Sequence, residues 1–541
     1  MTIADASTFQ DRPAARQGGG IHWLVMAFLV ALLLPLSTSV AGTVFTTLRL
    51  VVVLSVVPLA IGLFQGRFGR ILPTDWLFVG HTIWMGVSLS VTSPAMAASQ
   101  FGSVGAEFLG SYLIGRALIR DKAQFLAVVR FLIWAVVLLA PFAMIEMVRG
   151  RPPLIDILDK IPVLNAPAVI WTGQRLNLNR AQVLFVHPIH WGLFCSALFT
   201  LGFIGLRGTV SVGLRIFFAA AIGFGTFASL ASGALLPVIL QLALIAWALT
   251  TEKLQRRWWI LLAIIVVLYV AIELLSNRSA MMAVLTRLAF SSHNVYWRSI
   301  IFDWGWMNIF GSAANGIPPA RLFGIGFNDW IRPAYMYSGS MDNFWLVIGV
   351  RHGVPGFLTL AGGMTWLVWT AARRDMGPDP QIRNIRLAWV LTFVSLGLSM
   401  ATVHVWGTIY GYIFFMLGAG AWLTTFEPEA AAGKPDPHAE ESPRRRTRIA
   451  YSRFAPPEDD GAGTMTVSGL RRAGARDLQG NRPAPQGDRL ARTLPEVGPR
   501  ATRLAEEPTQ PASGATEQRP TRTLRRSRTP AVPNGRLGDG P

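Results

Sequence analysis

Residues 124–147 read QFLAVVRFLIWAVVLLAPFAMIEM, one glutamine, one arginine and one glutamate among otherwise apolar or small side chains. A helix needs about 20 such residues to cross the hydrocarbon of a bilayer, so this stretch predicts a membrane span. Runs of the same character recur near 22–40, 45–64, 75–93, 100–119, 181–206, 213–231, 233–251, 257–275, 354–372, 386–405 and 407–425. Together they predict an all-α membrane protein of about 12 transmembrane helices. The first run ends on Ser39-Val40-Ala41, which resembles a cleavage site. An uncleaved helix is the preferred reading, because only Arg12 and Arg16 precede the run and many spans follow it.

The chain is 52% hydrophobic and 15% charged over 541 residues, a balance suited to lipid rather than to a soluble core. All 19 Trp lie before residue 427, whereas the last 115 residues hold 16 of the 34 Pro. Three regions follow: a cytoplasmic N-terminal segment 1–21, a polytopic membrane domain 22–426, and a basic, Pro-rich tail 427–541 expected to be disordered. The tail has 20 Lys and Arg against 15 Asp and Glu, hence +5 of the formal +19. Contact with anionic lipid headgroups is its expected role, in preference to nucleic-acid binding. A single cysteine, Cys195, excludes an intramolecular disulfide.

Alternate connections between the runs carry sixteen Lys and Arg, among them Arg67, Arg70, Arg116, Arg120, Lys122, Arg373, Arg374, Arg383 and Arg386. The opposite short connections, near 41–44, 94–99, 232 and 406, carry none. That asymmetry predicts a multi-pass inner-membrane protein with both termini cytoplasmic. Two longer outward loops, 148–180 and 276–353, break the rule with Arg149, Arg151, Lys160, Arg175 and Arg180, then Arg278, Arg287, Arg298, Arg321, Arg332 and Arg351. Positive charge there opposes insertion, and its simplest use is to bind a phosphate or diphosphate.

Two polar constellations accompany these cations. The first loop ends in Arg180, with His187 and His190 following at the mouth of a span; the second contains His293, Arg298, Leu322-Phe323-Gly324-Ile325-Gly326, Asp342-Asn343, Arg351-His352 and Gly353-Val354-Pro355-Gly356. Taken singly, an arginine at a membrane boundary snorkels to water, and an interfacial histidine hydrogen-bonds to a neighbouring helix. Within the runs, Arg49, His81, Glu107, Arg130, Glu146 and Glu273 stand out as rare intramembrane polar residues. Glu146 is expected to pair with a loop arginine or to line a lipid groove.

Taken in this order and on one side, the motifs resemble those of the O-antigen ligase and polymerase family. The resemblance covers roughly 180–370 by motif and the whole body by topology. It implies a GT-C-like, metal-independent, inverting transferase, with no cofactor, that moves glycans from undecaprenyl diphosphate on the periplasmic face. Membrane lipid and polysaccharide assembly proteins are the implied partners. Carried over, the family's essential arginines match Arg180 and Arg298. His187, His190, His293, Asn343, Arg321, Arg351 and His352 are candidate substrate-binding residues. Where the ligases have a histidine, this chain has Asp342, although Asn343 and Gly353 keep the family spacing. Asp342 can orient or activate an acceptor hydroxyl, as a histidine would, but with a different acidity. The change favours a polymerase over a ligase. The competing class, a transporter or flippase, lacks a visible internal repeat or a midplane charge relay here. A structural scaffold is the third alternative. Metal-dependent GT-C enzymes place acidic residues in the first outer loop, and residues 37–44 contain none.

Overall fold

The computed structural model describes residues 20–40, 43–162, 164–275, 292–336 and 338–428. The chain divides into two units, Met1–Pro443 and Arg444–Pro541, and every described residue belongs to the first. Apart from residues 20–21 and 427–428, the expected N-terminal segment 1–21 and tail 427–541 lie outside the described residues, as does 276–291 of the second loop.

The described chain is mostly helical, with a helix in each of the twelve apolar runs. Among the described residues six helical stretches have the length and apolarity to cross a membrane: Thr47–Phe64, Lys122–Arg149, Pro188–Gly205, Ser232–Thr250, Arg257–Leu275 and Phe344–Arg373. The helices that position the site are α3 (Pro73–Thr92), α5 (Ala106–Leu118), α6 (Lys122–Arg149), α8 (Pro188–Ser196), α9 (Val212–Ala228), α10 (Ser232–Thr250), α12 (Ser292–Phe310), α13 (Phe344–Arg373), α14 (Pro380–Ser399) and α15 (Gly407–Ala419).

Three boundaries differ from the apolar runs. The first helix stops at Leu33, ahead of Pro35, and Ser37–Val40 pairs antiparallel with Thr43–Thr46, as suits Thr- and Val-rich sequence. Residues 181–187 are not helical, and α8 begins at Pro188 with His187 as its N-cap. Much of the expected loop 276–353 is itself helix, since α12 occupies Ser292–Phe310 and α13 starts at Phe344, where the Asn343 side chain accepts the Leu346 N–H. The apolar run that begins near 354 is therefore the second half of a longer helix, interrupted at Gly353 (φ 70°, ψ −176°).

The core is held by close approach as much as by apolar burial. Where α5 crosses α15, a Cβ on Gly115 would lie 2.2 Å from the Phe415 carbonyl oxygen, and one on Gly418 would lie 2.3 Å from that of Tyr112. Small residues that let backbones touch are the usual means of packing helices in lipid. One buried polar group also ties helices together: Thr200 Oγ1 bonds Gln241, Thr392 and the Ala388 carbonyl, joining α10 and α14.

The two ends of the helix assembly differ in chemistry. At one end, Arg116 donates to the Arg70 carbonyl, Lys122 pairs with Asp379 at 2.7 Å, and Arg374 donates to the Phe426 carbonyl. At the other end the C-termini of α6 and α9 meet the segment 175–187, the end of α3 and the break in α13 meet the segment 320–336, and the start of α13 meets 400–403. The second end contains the described arginines of the long loops, among them Arg175, Arg180, Arg298 and Arg351.

Candidate functional site

Two backbone devices shape the first wall of the site. The turn between α9 and α10 carries Leu230 at φ 44°, a conformation L-residues seldom adopt, and its carbonyls are taken by guanidinium groups. Arg180 donates from Nε to Ser229 at 3.1 Å, and Arg175 donates to Leu230 at 2.7 Å. The second device is Glu146, buried at the end of α6. Its two carboxylate oxygens accept the N–H groups of Gln182 at 2.9 Å and Val183 at 2.8 Å. Val183 is held at φ 58°, strained for a β-branched residue. Glu146 thus pins the turn just after Arg180 and binds backbone rather than a loop arginine.

His187 follows that turn. Its Nδ1 accepts the Ile189 N–H at 3.1 Å, so in the neutral ring the proton sits on Nε2, which is a donor. His190, one turn on, is fully buried with neither ring nitrogen bonded among the described residues, and packs edge-on against Trp406 at 4.2 Å.

The second wall comes from α12 and the start of α13. Arg298 is largely buried on α12, and its Nε has no hydrogen-bond partner among the described residues. Asp342, exposed, accepts the Ser340 hydroxyl at 3.2 Å. These residues surround a cavity of about 310 Å³ lined by His187, Ile189, Arg298, Ser340, Asp342, Thr402, Val403, His404 and Trp406. The volume is at the lower end for a small-molecule site.

Positive charge dominates its electrostatics. Burial draws Arg180 down to about 10, and the neighbouring Arg175 charge draws it in the same direction. Burial also lowers Arg298, against which Asp342 raises it and Arg175 lowers it further. His187 is lowered to about 4 by burial and by Arg180, and His404 to about 4 by burial and by Arg351. Both imidazoles are neutral at neutral pH, and three guanidinium groups share one half-desolvated region with a single carboxylate, an arrangement suited to an anion.

Of the residues expected from the sequence, the fold brings His187, Arg298 and Asp342 to the cavity, with Arg180 bearing on His187. Arg351 sits over the Phe327 ring at 4.7 Å and acts on His404. The others are placed elsewhere. The Asn343 side chain caps α13. Arg321 donates to the Phe310 carbonyl and lies over that ring. His352 is buried on α13 near His81 of α3, with ring centroids 6.4 Å apart. The His293 side chain lies outside the described residues.

The Leu-Phe-Gly-Ile-Gly turn has a structural task. It seats against the break in α13, where the N–H groups of Ile325 and Gly326 donate to the carbonyls of Val350 and Arg351, and Val354 N–H donates to Arg321. A Cβ on Gly353 would lie 2.1 Å from the Leu322 carbonyl oxygen and one on Gly324 would lie 2.5 Å from that of Arg351, so these two glycines permit a backbone-to-backbone joint.

Sequence reasoning missed His404 and Trp406, because residue 406 falls in a short connection notable only for lacking Lys and Arg. A histidine and a tryptophan within three residues, on the side of the arginine-rich loops, were the available signal. Among the described residues no group of three His, Cys, Asp or Glu side chains is placed to hold a metal ion. The sequence matches no protein-family model and no curated protein.

Proposed function

We propose that the protein is a glycan transferase of the O-antigen ligase and polymerase type, lying in the bacterial inner membrane with both termini cytoplasmic and its site periplasmic. The observation that carries this reading is the convergence of Arg298, His187 and Asp342, from three separate segments, on one cavity charged by Arg175 and Arg180. In the reaction a sugar hydroxyl attacks the anomeric carbon of an undecaprenyl-diphosphate-linked saccharide, and the diphosphate leaves. Arg180 and Arg298 hold the diphosphate and stabilise the charge that grows on it, commonly a large catalytic term. His187, with its proton on Nε2, adds a neutral donor. Asp342 orients the incoming hydroxyl. The absence of the ligase histidine favours polymerisation of repeat units, with O-antigen or exopolysaccharide as the product.

The test is glycan transfer by purified protein. Each of Arg180→Ala and Arg298→Ala is expected to lower kcat by about 10²–10³-fold, the usual effect of deleting one transition-state donor. Wild-type transfer by the double variant would remove the mechanism, and lipid flipping or solute uptake without transfer would assign the protein to the transporters. A deletion strain separates the two transfer reactions: loss of long polymer with the lipopolysaccharide core still capped indicates a polymerase, and free lipid-linked polymer with bare core indicates a ligase.

A further inference from the structure

The cavity has a side that the arginine mechanism leaves unused. We propose that the connection between α14 and α15 forms the acceptor subsite, with Trp406 as the platform for the acceptor sugar ring and His404 as the group that receives the hydroxyl proton. The proposal rests on the glycan-transfer reading and names the residues that handle its second substrate.

A backbone joint puts this connection beside Asp342. The N–H of Phe344, two residues after Asp342, is directed at the carbonyls of both Met400 and Val403, at 2.8 and 3.0 Å. His404 is then sandwiched, its ring stacked on Phe344 at 6.1 Å and on Trp406 at 5.6 Å. Its Nδ1 is buried with no partner among the described residues, while the residue itself is half-buried and lines the cavity, which leaves Nε2 to meet a ligand. His187 cannot take this part, because its Nδ1 lone pair is occupied by the Ile189 N–H and its Nε2 bears the proton. Asp342 faces the Arg298 guanidinium and accepts the Ser340 hydroxyl, so it is already engaged with its own partners.

Trp406 is 37% exposed and lines the cavity, backed by His190. A partly exposed indole at the wall of a cavity that also carries one guanidinium and one carboxylate suits the C–H face of a pyranose, whose hydroxyls reach those polar groups.

The charges around His404 suit a base that works only with substrate present. The cations near it and across the cavity are Arg351 and Arg298, the carboxylate is Asp342, and His187 and His190 are the other titratable neighbours. Burial first, and then the Arg351 charge, favour the neutral ring. A bound diphosphate offsets that charge and favours the imidazolium, so basicity rises as the donor binds. In the step itself the acceptor oxygen bonds to the anomeric carbon, and the bond from that carbon to the diphosphate oxygen breaks with its electron pair leaving on oxygen. The hydroxyl proton passes to His404 Nε2 and then to water.

The test uses the full chain in lipid nanodiscs, with a diphosphate-linked glycosyl donor and a saccharide acceptor. His404→Gln and His404→Asn are expected to lower kcat by about 100-fold or more with donor binding unchanged. Trp406→Ala is expected to raise the acceptor KM by about tenfold, with Trp406→Phe restoring most of it. Thermal unfolding of each variant separates these effects from loss of fold. Wild-type kcat in a folded His404 variant, or an unchanged acceptor KM in Trp406→Ala, would overturn the subsite while leaving transfer by the parent protein intact. Absence of transfer by the parent protein would overturn both readings together.

Discussion

Glu146 shows how one residue can serve the site without lining it. Its carboxylate satisfies two backbone N–H groups in the turn that follows Arg180, one of them on the strained Val183. The sequence marks Glu146 as a rare intramembrane acid, but a hydrogen bond to backbone has no signature in composition, and pairing with an arginine was the natural expectation. Glu146→Gln removes one acceptor oxygen and faces an N–H with an amide N–H. We expect a loss of about 1–3 kcal/mol in unfolding free energy, seen as a lower Tm in detergent, together with weaker diphosphate binding. The histidines give a second residue-level prediction. His187 and His404 are depressed from an ordinary 6.5 to about 4 in the folded protein, so between those values the unfolded chain binds more protons. Stability from these residues is complete above pH 6.5 and is lost as pH falls towards 4. The fall in Tm over that window is expected to be shallower in a His187→Gln, His404→Gln double variant.

At the scale of elements, hydropathy located the helices but not their ends. Local apolarity makes residues 354–372 a self-evident span, whereas the apolar first turns of α13, Phe344 to Val350, are too short to read as one before Arg351 and His352 interrupt them, and are held by the Asn343 cap and by the joint at Gly353. The motif glycines were legible as a pattern, and their reason lies in the backbone contacts they allow. Helix crossings follow the same logic. At Gly115 and Gly418 the neighbouring atoms are backbone, which cannot move aside as a flexible side chain can. Gly115→Val or Gly418→Val is therefore expected to cost about 1–3 kcal/mol or more and to lower the yield of folded protein by size-exclusion chromatography. Gly223→Ala in α9, where a Cβ would meet nothing within 4 Å, is the matched control and is expected to leave Tm unchanged or slightly raised.

At the scale of the whole molecule, the arginines of the short connections and the site residues occupy opposite ends of the helix assembly. The proposed orientation predicts that, in intact cells, a membrane-impermeant thiol reagent that crosses the outer membrane labels Asn315→Cys and spares Ser211→Cys, both exposed positions. The native Cys195 is buried, which keeps the background low. The reverse pattern would invert the molecule and place the site in the cytoplasm. By itself the sequence determined a helical membrane body and the separation of its charged connections, because apolarity and net charge are carried by each segment alone. Tertiary structure decided which polar residues share a cavity. His404 and Trp406 reach Asp342 through the Phe344 N–H, and Arg175 and Arg180 are aimed by the carbonyls of the α9–α10 turn. Such pairings join backbone groups far apart in the chain, and no local pattern of residues encodes them.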